Sequence, residues 1–137
     1  MLDELGDCLD MSRVHFLGKV PYPTFIKVLQ VSRVHVYLTY PFVLSWSMLE
    51  AMAAGCLVVG SRTAPVEEVI RDGENGLLVD FFKPGEIAER VIAPLLDPEA
   101  FRTVRENARQ TIVDHYDLKQ VCLPEQLRLL GQVVGKR

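Results

Sequence analysis

The sequence predicts an α/β fold, with a parallel sheet covered by helices on both faces. Three features between Tyr40 and Gly60 indicate it. Residues 46–54 are rich in strong helix formers, and Gly55 stands where a helix would end in a left-handed cap. Residues 57–59 form a short apolar run, typical of a strand buried on both faces. With the apolar run at 34–38, they make one βαβ unit of a Rossmann-like fold.

Apolar spacing and prolines predict three elements before this unit. Leu2–Leu9 spaces its apolar residues as the end of a helix does. Val14–Leu17 is an apolar run that ends at a glycine, which predicts a strand. Two prolines then mark the turn into a helix over Thr24–Val31, whose apolar residues would face the sheet.

Turn and start signals divide the rest of the chain. In order, we expect a short helix over 67–71, a tight glycine turn over 72–76, a strand over 77–79, and helices over 84–95, from 98 and from 118. Asp97 followed by proline is a helix start signal, and Asp117 repeats the aspartate. Pro124 should kink the last helix.

Composition predicts a single domain over residues 1–137, with 49% hydrophobic and 24% charged residues. A net charge of −3 without a basic block argues against a nucleic-acid partner. No apolar stretch reaches the length of about 18 residues that spans a bilayer, so we expect no transmembrane segment.

Targeting signals and cysteines indicate the compartment. The acidic N-terminus lacks a signal-peptide pattern, and the three cysteines have no paired spacing. We therefore expect reduced thiols in a cytoplasmic protein. Metal-ligand spacing of His, Cys and carboxylate residues is also missing, so we expect no bound metal.

The chemistry of a βαβ unit concentrates at the first turn of its helix. Unpaired backbone N–H groups and the positive end of the helix dipole meet there, which favours phosphate. The residues at this turn are Ser45, Trp46, Ser47 and Met48. Glu50 could accept hydrogen bonds from sugar hydroxyls beside the phosphates. Ser47 and Glu50 also form an S-x-x-E capping box, which is the favoured interpretation from this stretch alone.

Two segments carry a resemblance to a known family. LEAMAAG-CLVVGS at 49–61 and APVEEVIRDGENGLLVD at 64–80 resemble the retaining glycosyltransferases of family 4, the group 1 glycosyltransferases. The match runs from about Val14 to the C-terminus and resembles part of the C-terminal, donor-binding domain of the GT-B fold. The resemblance implies transfer of a sugar from a nucleoside diphosphate sugar to an acceptor hydroxyl, with retention at the anomeric carbon and without a cofactor.

The resemblance also implies roles for individual residues. Glu50 matches the second glutamate of the family's paired motif, which binds the nucleotide ribose. Ser45, Trp46, Ser47 and Met48 match the turn whose backbone approaches the diphosphate. Lys19 and Val20 match the loop beside the base, although a solvated lysine and a packed valine are the slightly favoured interpretation.

The donor-sugar half of that motif is altered. Phe42 stands eight residues before Glu50, where the family has its first glutamate, and Val43 and Leu44 follow on the donor-sugar side. A phenyl ring cannot accept a hydrogen bond from a sugar hydroxyl. The sugar is therefore held differently, or another sugar is bound, or the site is impaired.

Several family parts have no counterpart in the sequence. The acceptor-binding first domain is absent, as are the first two strands of the second domain, which would lie between the strands at Val14 and Val34. Their absence would leave exposed sheet edges. We expect either a fragment or a homodimer in which a second copy fills the gap.

Other classes stay open beside the transferase. A sugar-nucleotide epimerase would share the GT-B architecture. A non-catalytic nucleotide-binding or dimerisation module would explain Phe42 and the missing strands. A nucleotide-dependent dehydrogenase is disfavoured, because no G-x-G-x-x-G follows a strand.

Overall fold

The computed structural model describes residues 9–40 and 43–135. After a 3-10 turn at Met11–Arg13, this part contains the following elements: α1 (Tyr22–Val31), β1 (Val34–Tyr37), α2 (Trp46–Ala54), β2 (Leu57–Ser61), α3 (Ala64–Glu67), β3 (Leu77–Val79), α4 (Pro84–Leu96), α5 (Arg102–Tyr116) and, after a π-helical turn at Leu118–Cys122, α6 (Leu123–Val134). The helix predicted over residues 2–9 and the donor-sugar residue Phe42 lie outside the described residues, apart from Leu9.

The three strands form a parallel sheet in the order β1-β2-β3. Val34 pairs with Leu57 across the first pair of strands, and Val59 pairs with Leu77 across the second. Every residue of the central strand β2 is buried, as expected for a parallel strand with helices on both faces. The predicted α/β class is therefore confirmed.

Each face of the sheet has its own core, because side chains alternate along a strand. On one face α1, α2 and α5 pack through Leu29, Met48, Met52, Val58, Leu78, Ala108 and Ile112. On the other face α4 and the start of α5 cover Leu57, Val59, Leu77 and Val79. The first core holds α1 against α2, which matters for the site below.

The central βαβ unit agrees closely with the sequence prediction. The helix spans the predicted residues 46–54, and Gly55 ends it with φ 84°, the left-handed cap. Gly73 likewise has φ 77°. Gly76, in the same turn, has no positive φ. It is required for space, since a Cβ there would lie 2.8 Å from Ile70 Cγ2.

The strand predicted at Val14–Leu17 is wrong. This segment is irregular, and Phe16 and Leu17 are 67% and 57% exposed. A strand requires a neighbour for its backbone N–H and C=O groups, and β1 pairs with β2 alone within the described sheet. An apolar run without a partner strand does not form a ladder.

Three helix boundaries also differ from the prediction. The short helix lies at Ala64–Glu67 rather than 67–71, with Pro65 in its first turn. The helix expected from residue 98 begins at Arg102, because Asp97 Oδ1 accepts from the Ala100 N–H at 3.2 Å and closes a separate turn first. The helix expected from Thr24 begins two residues earlier, at Tyr22.

The last helical segment follows the predicted start signal, and its regular pattern is interrupted beside Pro124. Asp117 Oδ1 accepts from the N–H groups of Lys119 and Gln120 at 2.9 and 2.7 Å, so it caps the π-helical turn. Pro124 is the second residue of α6, directly after the π-helical turn, so the regular α-helical hydrogen-bond pattern is interrupted just before the proline.

The described residues contain neither a membrane-spanning helix nor a metal-binding cluster. None of the helices described is both long enough and apolar enough to cross a membrane. Across residues 9–40 and 43–135, no group of three or more His, Cys, Asp or Glu side chains is arranged to hold a metal ion.

Candidate functional site at the carboxyl edge of the sheet

The loops after β1 and β2 meet at the carboxyl edge of the sheet, where ligands of open α/β folds bind. Ser61, fully buried at the end of β2, bridges them. Its hydroxyl donates to the Thr39 carbonyl at 2.6 Å and accepts from the Thr39 N–H at 2.9 Å. Tyr37 Oη, at the end of β1, accepts from the Ser45 N–H at 2.8 Å. The loop that leads into α2 is therefore attached to the sheet near both of its ends.

Ser45 is the N-cap of α2. Its Oγ accepts from the Ser47 N–H at 3.3 Å and lies 3.0 Å from Ser47 Oγ, and its carbonyl accepts from the Met48 N–H at 3.2 Å. The four residues predicted to approach a diphosphate thus lie together in one helical turn. The Trp46 side chain is 80% exposed there, whereas the Met48 side chain is buried in the core and cannot contact a ligand at this turn.

The capping-box interpretation of Ser47 and Glu50 is wrong. The cap is Ser45, so Met48 is the third helical residue and Glu50 lies in the following turn, and no acidic residue stands in the first turn. Glu50 Oε1 instead accepts a hydrogen bond from Tyr22 Oη at 2.8 Å. Its carboxylate is therefore available for chemistry other than capping.

The Glu50 carboxylate also acts on its partner. The hydrogen bond from Tyr22, together with partial desolvation and the negative charge, raises the pKa of the Tyr22 phenol above its ordinary value of 10.0. The phenol therefore stays protonated, and remains a donor, over the whole physiological pH range.

The residues predicted for the base side lie just before α1. Lys19 is exposed and Val20 is half-buried, and two residues further on Tyr22 reaches Glu50. On the donor-sugar side, Val43 is exposed, whereas the Leu44 side chain packs against the core beneath α1 and α2. Tyr22, two residues after the base-side segment, thus contacts Glu50, and Leu44 is half-buried against the core.

Arg62 directly follows β2 at the same edge of the sheet, and it is engaged in ion pairs. Its guanidinium lies 3.3 Å from Asp72 Oδ2 and 3.7 Å from Glu67 Oε1. Arg90 contacts the same Asp72 oxygen at 3.2 Å, and the Leu78 N–H donates to Asp72 Oδ1 at 3.0 Å. These partners compensate the charge of Arg62, so it is not a ready phosphate ligand.

Sequence reasoning missed an aromatic cluster at the same edge. Tyr40 lies 5.8 and 5.0 Å from the ring centroids of Phe81 and Phe82, which follow β3. Asp80 holds this turn by accepting from the Phe82 N–H at 3.0 Å, and that bond lowers the pKa of Asp80. The rule that loops after parallel strands meet at one edge could have placed these rings together.

Sequence reasoning also missed Tyr22 and Tyr37, whose hydroxyls contact Glu50 and Ser45. The Tyr22 contact joins residues 28 positions apart, and no motif spacing reports such a pair. Tyr37 stands at the end of the predicted β1 strand, so the edge rule could have suggested that it lies near α2.

Comparison with known proteins gives the family. The model of the group 1 glycosyl transferases matches residues 8–111. An uncharacterised glycosyltransferase of Methanocaldococcus jannaschii, MJ1069, is 30% identical over 108 residues, which cover 78% of this chain and 28% of that protein.

Solved structures share the fold. Sucrose-phosphate synthase from Thermosynechococcus elongatus superimposes with a TM-score of 0.85 at 23% identity, over 98% of this chain and 34% of that chain. HepE from Anabaena, in complex with UDP-glucose, gives a TM-score of 0.82 at 21% identity, over 95% of this chain and 35% of that chain.

The chain belongs to the group 1 glycosyl transferases, and its fold is that of part of their C-terminal domain. It spans only about a third of the length of the proteins compared above, 28% to 35%.

Proposed function

We propose that this chain is the donor-binding part of a longer glycosyltransferase. The enzyme transfers a sugar from a nucleoside diphosphate sugar to an acceptor hydroxyl, with retention at the anomeric carbon. The observation that carries the proposal is the arrangement at the start of α2. A serine-capped helix N-terminus stands at the carboxyl edge of the sheet, and a carboxylate that is not used for capping lies one turn further on.

The two parts of this arrangement suit the two parts of a nucleoside diphosphate. The first turn of α2 carries the positive end of the helix dipole, and no carboxylate opposes an anion there. A leaving diphosphate gains electrostatic stabilisation from such a dipole. Glu50 can accept hydrogen bonds from the ribose hydroxyls, because an ionised carboxylate is a pure acceptor.

The acceptor side of the reaction requires a further domain. The relatives are about three times as long as this chain, and we propose that an acceptor-binding domain of the longer protein completes the cleft. This chain alone then binds nucleotide weakly and shows little or no turnover. That the protein is cytoplasmic remains a prediction from the sequence.

The second candidate is a non-catalytic nucleotide-binding or dimerisation module of the same fold. It is favoured by exposed apolar surface in two places. Val36 and Leu38, on and beside β1, are exposed, and α6 has no buried residue although it is rich in leucine and valine. Sedimentation of the isolated chain tests this candidate, because a homodimer would cover such surface and a monomer would not.

Titration calorimetry tests the main proposal. We would titrate the chain with UDP, UDP-glucose, GDP and GDP-sugars, starting with the UDP ligands because HepE was solved with UDP-glucose. Glu50→Ala should weaken binding of the preferred nucleotide by about 1–3 kcal/mol, or roughly 5- to 150-fold, as for loss of a charged hydrogen-bond acceptor.

Glu106→Ala is the matched control, since Glu106 lies in α5 beside Gly55, at the opposite end of α2. It should leave nucleotide affinity unchanged. Equal binding by the wild type and Glu50→Ala, or no binding of any nucleotide, would contradict the proposed role of this site.

A further inference from the structure

The contact between Tyr22 and Glu50 joins the two helices that flank the candidate site. Tyr22 is the first residue of α1, and Glu50 lies in the second turn of α2. The Tyr22 phenol donates to Glu50 Oε1 at 2.8 Å, a short and direct hydrogen bond. Nevertheless the Tyr22 side chain is 61% exposed, so the contact lies at the surface where a ligand can reach it.

The backbone around Tyr22 holds its ring in place. The Pro21 carbonyl accepts from the N–H groups of Thr24 and Phe25 at 2.9 and 3.0 Å, which closes the first turn of α1 around Tyr22. The Tyr22 ring lies 6.3 Å from the Phe25 ring, and Phe25 packs against the core. The first turn of α1 and the contact with Phe25 therefore restrain the orientation of the Tyr22 side chain, although it is exposed.

Glu50 is held in place from the opposite side. Its neighbours Met48, Ala51 and Met52 are fully buried, which fixes the rotation of α2 about its axis. Leu29 of α1 belongs to the same core cluster. Donor and acceptor are therefore carried by two helices that pack against each other, and their separation does not depend on a loop.

We propose that Tyr22 is a positioning residue, which holds the Glu50 carboxylate so that its remaining acceptor positions meet the vicinal hydroxyls of a nucleotide ribose. The inference rests on the proposed function, and it adds a selectivity: the site prefers ribonucleotides to 2′-deoxyribonucleotides.

The hydrogen-bonding capacity of the groups gives this selectivity. An ionised carboxylate has about four acceptor positions, and a phenol that donates to Oε1 takes one of them and restrains rotation of the group. The 2′ and 3′ hydroxyls of ribose can then donate to the carboxylate side by side. A 2′-deoxyribose lacks one of these donors, and a site built for a hydroxyl rejects the analogue without it.

The experiment compares the affinities of UDP and 2′-deoxy-UDP for four forms of the chain. The wild type should bind UDP at least about tenfold more tightly than the deoxy form. Tyr22→Phe keeps the ring but removes the donor, so the ratio should fall several-fold while the thermal midpoint stays near that of the wild type. Glu50→Gln should abolish the preference. Tyr116→Phe, at the end of α5, should retain it.

The outcomes separate this inference from the function on which it rests. If Glu50→Gln binds both nucleotides as the wild type does, the proposed function fails and the inference fails with it. If Glu50→Gln loses the preference but Tyr22→Phe retains the full ratio, the function stands. Tyr22 is then a structural tie between two helices, and the inference is overturned.

Discussion

The two ends of α2 are built in opposite ways. At its C-terminal end Gly55 adopts the left-handed conformation, and its N–H contacts the Ala51 and Met52 carbonyls. Two arginines of α5 add charged donors there: Arg105 Nε donates to the Gly55 carbonyl at 2.8 Å, and Arg109 donates to the Ala53 carbonyl. At the N-terminal end the cap is the serine Ser45.

This difference separates stability from binding along one helix. The last turn of α2 carries no basic residue of its own, so α5 supplies the positive charge that the negative end of the dipole favours. At the first turn the opposite compensation is missing, because it holds no carboxylate. The C-terminal end is therefore satisfied from within the protein, while the N-terminal end keeps its positive potential for an anion.

The largest expected effect is at the C-terminal end of α2. Arg105→Met leaves the Gly55 carbonyl without its charged donor, and we expect a loss of about 2 kcal/mol in the free energy of unfolding. Chemical denaturation measures it. Nucleotide affinity should not change. Arg102→Met is the control, because Arg102 pairs only with the exposed carboxylates of Glu99 and Glu106 among the described residues, and it should cost clearly less. Equal losses would show that Arg105 does not act through α2.

Gly55 gives the next effect in size. Gly55→Ala introduces a Cβ at φ 84°, and nothing lies within 4 Å of that Cβ, so the cost is backbone strain of about 1–2 kcal/mol. Gly85→Ala in α4 has equal space and no positive φ, and there alanine should be neutral or stabilising. Thermal unfolding of both variants measures this difference in stability. Equal midpoints for the two variants would contradict a strained backbone at Gly55.

Two substitutions of Ser45 test the N-terminal end of α2. Ser45→Ala removes the cap and should cost about 1 kcal/mol of stability. Ser45→Asp restores a cap of equal strength and suits the dipole, but it places a negative charge where the diphosphate would bind. Calorimetry with UDP should therefore show a larger loss of affinity for aspartate than for alanine, although aspartate is the more stable variant. The reverse order of affinities would argue against an anion at this turn.

Lowering the pH gives the smallest effect, and it acts on β1, the strand that precedes the N-terminal end of α2. Burial lowers the pKa of His35 in β1 below its ordinary value of 6.5. The unfolded chain then takes up a proton at a higher pH than the folded chain, so stability is complete above the ordinary value and is lost as the pH falls below it.

Denaturation of the wild type and His35→Gln at pH 7.5 and 5.5 isolates this contribution. At pH 5.5 the wild type should have lost stability relative to His35→Gln, compared with the difference at pH 7.5. A difference that is the same at both values would mean that His35 protonates equally in the folded and unfolded chains.

Local signals were sufficient for the helix at 46–54, its glycine cap and the strand at 77–79. They failed at Val14–Leu17, because a strand forms only with a neighbour and the sequence of a segment does not contain its neighbour. The capping box of Ser47 and Glu50 was also predicted wrongly. The cap is Ser45, whose N–H donates to the Tyr37 hydroxyl across the sheet edge, a contact that the local pattern does not contain. The Tyr22–Glu50 pair depends on the packing of α1 on α2, which no local pattern encodes.

The hydroxyl of Ser61 links the loop after β1 to the loop after β2. Because it both donates to and accepts from the backbone of Thr39, the segments after β1 and β2 cannot separate without breaking two hydrogen bonds at once. Tyr40, the next residue, carries the aromatic contacts to the turn after β3. A molecule that pushed on any of these three segments would therefore displace all three, and the rim of the cleft would respond as a single unit.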